Sequence, residues 1–339
     1  MFSYPKTTFA DNHLALPHGA EVKAGVAKLD YTIQNELHIH QQSNRAVLDW
    51  ESFDIGKDAL TQFHQNGTQA IAINRVVGPQ IDPTHILGTL KSNGTVVVLD
   101  NNGVIFGQDA VLDVGGIIAS TGRIDTKSFM NGTNSLEITD IDNNGSIINQ
   151  GSITVAEAGI ASFVAPTIIN EGKITAKMGR VALASSDKVT LDLYGDGLIE
   201  IALDDTMSNA LIQQKGEISA DGGYIQISTA KAKSSIDNLI NMDGVTSASS
   251  ARVVGGKIVL EGGNIQVSGD LSANGHSGGG TILIGGDYQG KGETSTAENT
   301  LITKSANIYA NATDAGDGGT VIIWADGKTG FYGHAEAKG

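Results

Sequence analysis

Short β-rich runs return along this chain at intervals near 20 residues or twice that, and this periodicity restricts the fold more than any other feature. Ile148–Val155 (INQGSITV) comes back as Ile169–Ala176 (INEGKITA), 21 residues on. Gly172-Lys173-Ile174 is echoed by Gly216-Glu217-Ile218, 44 residues later, and by Gly256-Lys257-Ile258 after a further 40. The run GGGTILI around Thr281 has its twin in DGGTVII around Thr320. Periods in this range mark stacked solenoid units, each unable to bury its apolar side alone. Leucine-rich repeats share the period, but their LxxLxLxxN frame is missing. Runs of the form IxVx or VxIx punctuated by Asn-Gly, Asp-Gly and Gly-Gly predict a parallel β-helix instead, with little α-helix. Parallel crossovers are right-handed in nearly all cases, which gives the coil its hand. At about 20 residues per coil and about 4.8 Å per stacked strand, the chain predicts up to about 17 coils, less some for N-terminal elaboration, in a rod of about 60–80 Å.

Composition agrees with an elongated coil. The chain has 44 glycines but only 17% charged and 5% aromatic residues, so its turns recur often and its interior is narrow, filled by Ile, Val, Leu and Ala. The formal net charge of −15 opposes a phosphate backbone or an anionic lipid surface, so neither nucleic acid nor membrane insertion is expected. Cysteine is absent, excluding disulfides and thiolate chemistry. Residues 1–20 lack the basic start and apolar centre of a signal peptide.

Residues 14–75, richer in charge and with longer strands, are expected to cap one end. The division anticipated is 1–125 as cap and secretion region and 126–339 as continuing coils of the same domain. Because GTVIIWADGKTGFYGHAEAKG stops with the repeat still running, further coils are expected beyond residue 339.

Several segments resemble, in order, the N-terminal secretion and haemagglutination-activity domain of two-partner-secretion (TpsA) exoproteins, the filamentous-haemagglutinin family. They are Asn44–Gly56 (NRAVLDWESFDIG), Ala72–Gly78 (AINRVVG), Ile86–Gly94 (ILGTLKSNG), Val97–Gly107 (VVLDNNGVIFG), Val114–Thr121 (VGGIIAST), Gly179–Ser185 (GRVALAS) and Val189–Leu198 (VTLDLYGDGL). The resemblance implies export through an outer-membrane TpsB-type transporter, recognition by its periplasmic POTRA domains, and templating of later coils at the surface of a Gram-negative cell. It implies an adhesin, with a host-surface glycan or protein as a further partner, the domain acting as a monomer. A toxin- or haemolysin-delivery stalk and a carbohydrate-active β-helix enzyme are the alternatives; no enzyme activity and no cofactor or metal are expected. The family's Asn-Pro-Asn-Gly turn reads Asp100-Asn101-Asn102-Gly103 here, still a turn by its chemistry and the expected transporter-recognition motif. Asn44, Arg45, Trp50, Asn74, Arg75, Gly94, Gly107, Gly115 and Gly116 carry the rest of the family pattern and are read as structural. The two Asn-Arg pairs are expected at strand starts, facing acids such as Asp49 or Asp54.

Other motifs have plain readings. Asp140–Gly145 opens like a calcium loop but has Gly151 where the bidentate Glu belongs. Four of five N-x-S/T triplets are Asn-Gly turns (Asn66, Asn93, Asn131, Asn144; the fifth is Asn311). Asp192, Asp196, Glu200, Asp204 and Asp205 cluster in sequence, the one place where a glycosidase-like acid pair could form. His38 and His40 share one strand face, without an evident third ligand.

Overall fold

A computed structural model describes residues 13–141, 144–193, 199–201, 210–230, 239–251 and 255–339. It is a parallel β-helix of three faces. The first face is an 11-stranded sheet, the second has nine strands and the third twelve, while three more strands form a small separate sheet. The chain visits second, third and first face in turn, as in Gly103–Phe106, Val111–Val114 and Gly116–Ser120, then stacks the next coil in register on the last.

Ten of the first face's strands are parallel, so the rod rises about 43 Å at about 4.8 Å a step, shorter than the periodicity predicts. Coil length is not constant. Asn149 to Asn170 is one coil of 21 residues, but Asn170 to Gln214 is also one coil, of 44. Spacings near 40 therefore mark single coils with excursions, not two short coils. The 40-residue step from Gly216-Glu217-Ile218 to Gly256-Lys257-Ile258 is an exception, being no coil at all, because the two triplets lie on different faces. Glu217 pairs with Val245 on the third face, whereas Lys257 pairs with Tyr224 on the first.

The true cap is smaller than residues 14–75. Glu21–Ala24 and Ala27–Asp30 run antiparallel to Arg45–Trp50 and Glu36–Gln41, and so close the end of the first and third faces. From Glu36 onward the strands already belong to parallel coils.

Two cores hold the rod. Inside it, Ala46, Leu48, Val96, Val98, Ile117 and Phe163 form part of a continuous cluster running from Leu37 to Ile308. Phe106 stacks on Phe163 at 5.5 Å between centroids. Second- and third-face strands alternate in and out, but on the first face Thr95–Leu99 and Gly116–Ser120 are buried on both sides. Their outward residues Val97, Leu99 and Ile118 lie beneath Phe129, Leu136, Ile138 and Leu191 of the excursions. The short helix Thr126–Met130, capped by Asp125, and the antiparallel strands Ser135–Ile138, Val189–Asp192 and Ile199–Ile201 make up this outer layer.

Close approach of coils demands glycine at two corners. A Cβ on Gly115 would lie 2.6 Å from the Gly94 carbonyl oxygen, on Gly159 2.4 Å from that of Gly115, and on Gly223 2.0 Å from that of Gly179. The column continues through Gly256 and Gly280 to Gly319. A second column runs from Gly107 and Gly151 through Gly172 and Gly216 to Gly269. Beside it, buried amides pair from coil to coil: Asn149 Nδ2 donates to Asn170 Oδ1, and Asn170 Nδ2 to Gln214 Oε1, both at 2.7 Å. Gly223→Ala should therefore cost about 1–3 kcal/mol or more by overpacking, read as a lower urea midpoint. Gly132→Ala, with φ +85° but nothing within 4 Å, should carry only the left-handed penalty of about 1–2 kcal/mol.

Candidate recognition site

The Asp100–Gly103 turn joins Thr95–Leu99 of the first face to Gly103–Phe106 of the second. It closes with Gly103 N–H donating to the Asp100 carbonyl at 2.9 Å, with Gly103 at φ +120°. Asp100 is 1% exposed and its carboxylate ties its own turn to the preceding coil. One oxygen accepts from Asn102 N–H at 2.9 Å; the other accepts from Thr84 N–H at 3.0 Å and Thr84 Oγ1 at 2.7 Å in the preceding coil. Burial pushes the Asp100 carboxyl above its ordinary value, and Asp54 adds to the rise. Asp54 makes a tie in the opposite direction, reaching the following coil by accepting from His85 N–H at 2.7 Å.

Anchored from below, the turn leaves Asn101 and Asn102 partly exposed. Asn102 Nδ2 donates to the Gln80 carbonyl at 3.0 Å, fastening the turn to the loop 77–83. That loop carries Val77, 61% exposed, and Ile81, 87% exposed. The result is one surface combining turn amides with an isolated apolar side chain. Sequence reasoning missed Ile81; its only signal was a β-branched residue between prolines and polar neighbours in GPQIDP.

The other family-pattern residues hold the first coils. Arg45 starts strand Arg45–Trp50, and among the described residues it bonds carbonyls rather than an acid. Its guanidinium bonds the Phe129 carbonyl, donates to the Thr133 carbonyl at 2.8 Å, and lies 5.0 Å over the Phe129 ring, fixing the outer layer to the first coil. Asn44 Oδ1 accepts from Asn66 Nδ2 at 3.0 Å. Asn74 and Arg75 lie near the end of Ile71–Val76, not at its start. Arg75 Nε donates to Asp49 Oδ1 at 2.6 Å and its Nη1 to Thr126 Oγ1 at 2.9 Å. Asn74 is fully buried; its Oδ1 receives the Trp50 indole N–H at 3.0 Å and its Nδ2 donates to the Ala72 and Val97 carbonyls. Gly94, Gly115 and Gly107 belong to the corner columns, while a Cβ on Gly116 would lie 2.8 Å from Thr95 Oγ1.

Several of the remaining candidates cannot be placed. Asp142 and Asn143 of the calcium-like stretch lie outside the described residues, as do Asp196, Asp204, Asp205 and the side chain of Glu200. Asn93 holds Gln65 by both its amide atoms, Oδ1 accepting at 2.7 Å and Nδ2 donating at 3.0 Å, the work of a turn.

Comparison with known proteins decides the family. The family model described as the TPS secretion domain matches residues 15–273. The chain belongs to the TPS secretion domain family. A heme/hemopexin-binding protein of Haemophilus influenzae is 32% identical over 280 residues, covering 81% of this chain and 30% of that protein. A second protein so named from the same species is 29% identical over 275 residues, covering 74% and 29%. The chain thus spans about a third of the length of these relatives. The crystal structure of the HMW1 secretion domain from Haemophilus influenzae shares the fold, with a TM-score of 0.71 over 95% of this chain and 90% of that one, at 24% identity. The secretion domain is the part of a large Gram-negative exoprotein exported with an outer-membrane TpsB-type transporter, and its family is a secretion family, not a catalytic one.

The buried Asp100 generates a pH test. With its folded value raised above the unfolded carboxylate near 3.9, the folded chain holds more protons between the two values. This group's stabilising contribution is full below the unfolded value and declines as pH rises through the folded one. Urea midpoints of wild type and Asp100→Asn, compared from pH 3.5 to 7, should show wild type losing ground to the variant as pH rises.

Proposed function

We propose that the secretion domain presents Asn101, Asn102 and the Ile81 loop to the periplasmic POTRA domains of its transporter, as one composite recognition site in the 1–125 region. One observation carries this reading: Asp100 turns inward and is saturated by structural bonds, while the amides beside it and Ile81 face out. Structural work and display are divided between neighbouring residues, and replacing the family's first Asn by Asp leaves the displayed part of the turn intact. A rigidly held turn loses little entropy when it docks. The coils from 126 to 339 then extend the template on which each new coil pairs strand by strand.

We infer further that ligand binding by the whole exoprotein belongs to the length outside this chain. Two relatives carry heme/hemopexin-binding in their names, which favours capture of a haem carrier over attachment to cells as the role of that remaining length.

Binding of the transporter's purified periplasmic domains to the secretion domain, followed by calorimetry, tests the recognition site. Asn101→Ala/Asn102→Ala and Ile81→Asp should each weaken binding at least about 10-fold, a loss of about 1.4 kcal/mol. Val245→Asp, exposed in a late coil, should leave it unchanged. Equal affinity in all four proteins would refute the site.

A further inference from the structure

The chain holds six Asn-Gly pairs, and the corner geometry sets one of them apart. Asn66-Gly67 lies between Leu60–His64 of the third face and Ile71–Val76 of the first, with both residues exposed. Gly67 has φ +145°, and a Cβ built on it would meet nothing within 4 Å. Its carbonyl accepts from Ala70 N–H at 3.1 Å, but among the described residues its own N–H has no acceptor.

Four of the other pairs have that N–H engaged. Gly94 N–H donates to Gln65 Oε1 at 2.9 Å. Gly103 N–H donates to the Asp100 carbonyl at 2.9 Å, Gly132 N–H to that of Phe129 at 3.2 Å and Gly275 N–H to that of Asn311 at 2.9 Å. The asparagine side chains are tied as well: Asn93 to Gln65, Asn102 Nδ2 to the Gln80 carbonyl, and Asn274 Oδ1 to Asn311 N–H. The sixth pair, Asn144-Gly145, adjoins residues outside those described. An amide nitrogen can turn on the preceding side chain only when it is not already committed to an acceptor and when its own residue has torsional freedom, which glycine supplies.

We propose that Asn66 is a self-modification site of the folded domain. The Gly67 nitrogen, its proton lost to water, attacks Asn66 Cγ. A C–N bond closes a five-membered succinimide, and the side-chain nitrogen leaves as ammonia. Water then opens the ring at either carbonyl. One opening leaves an ordinary aspartate and the other an isoaspartate, whose main chain runs through the former side-chain carbonyl. The net change is water in and ammonia out, with no oxidant, cofactor or enzyme. The open space around Gly67 accommodates the extra backbone carbon, so the coil need not unfold. Asn66 Nδ2 donates to Asn44 Oδ1 at 3.0 Å, joining two successive corners. A carboxylate cannot donate, so conversion releases that tie and sets a negative charge beside Asn44.

Peptide mapping by mass spectrometry, with enzymatic isoaspartate labelling, tests the site on the folded chain held at mildly alkaline pH beside a sample unfolded in urea. The urea sample reports how fast each Asn-Gly pair converts without structure. The ratio of folded to urea rate should be at least about 10-fold higher at Asn66 than at Asn93, Asn102 or Asn274, which must open a bonded N–H first. Isoaspartate should accumulate at Asn66 in the folded chain, and Asn66→Gln, folded by circular dichroism, should remove that product. A smaller difference between Asn66 and the three bonded pairs, or none, would overturn the proposal.

Discussion

Everything in this rod depends on how closely one coil can lie on the next. In-register parallel pairing holds strands about 4.8 Å apart, and at the corners that spacing brings a carbonyl oxygen where a side chain would begin. A Cβ on Gly216 would meet the Gly172 carbonyl oxygen at 2.0 Å, and one on Gly256 that of Gly223 at 2.1 Å. Glycine there is a steric condition of stacking. Once the corners close, inward residues form one continuous apolar interior and the corner amides of Asn149, Asn170 and Gln214 pair down the axis.

The same condition explains what was legible in the sequence. Corner glycines, alternating strands and their recurrence are local patterns, so the β-helix and the Asn149–Asn170 coil could be read directly. Coil number could not, because a coil of 44 residues with an excursion looks in sequence like two of about 20. Glycine-led triplets also occur at both corners, which is why Gly256-Lys257 was matched to the wrong face. The cap was overestimated because charge and strand length do not distinguish the antiparallel Ala27–Asp30 from the parallel Glu36–Gln41.

The Asp100–Gly103 turn was legible as a motif but not as geometry. Asp100 could be recognised as a turn former; that its second oxygen reaches Thr84 in another coil depends on a register that no local pattern encodes. The partners of Arg45 were hidden for the same reason. It reaches 84 residues along the chain to the Phe129 carbonyl, into an outer layer that exists only because strands such as Thr95–Leu99 are apolar on both sides. That layer and the inner core grip the first coils together, giving the turn and the Ile81 loop a rigid base.

The central claim is that this chain is sufficient as an export module for a dedicated transporter. The most direct measurement is the amount of this chain, fused to a signal peptide, recovered outside Gram-negative cells with and without its transporter gene. The account predicts folded chain in the medium only when the transporter is present. Equal release in both strains, or periplasmic retention of a folded rod despite the transporter, would contradict it.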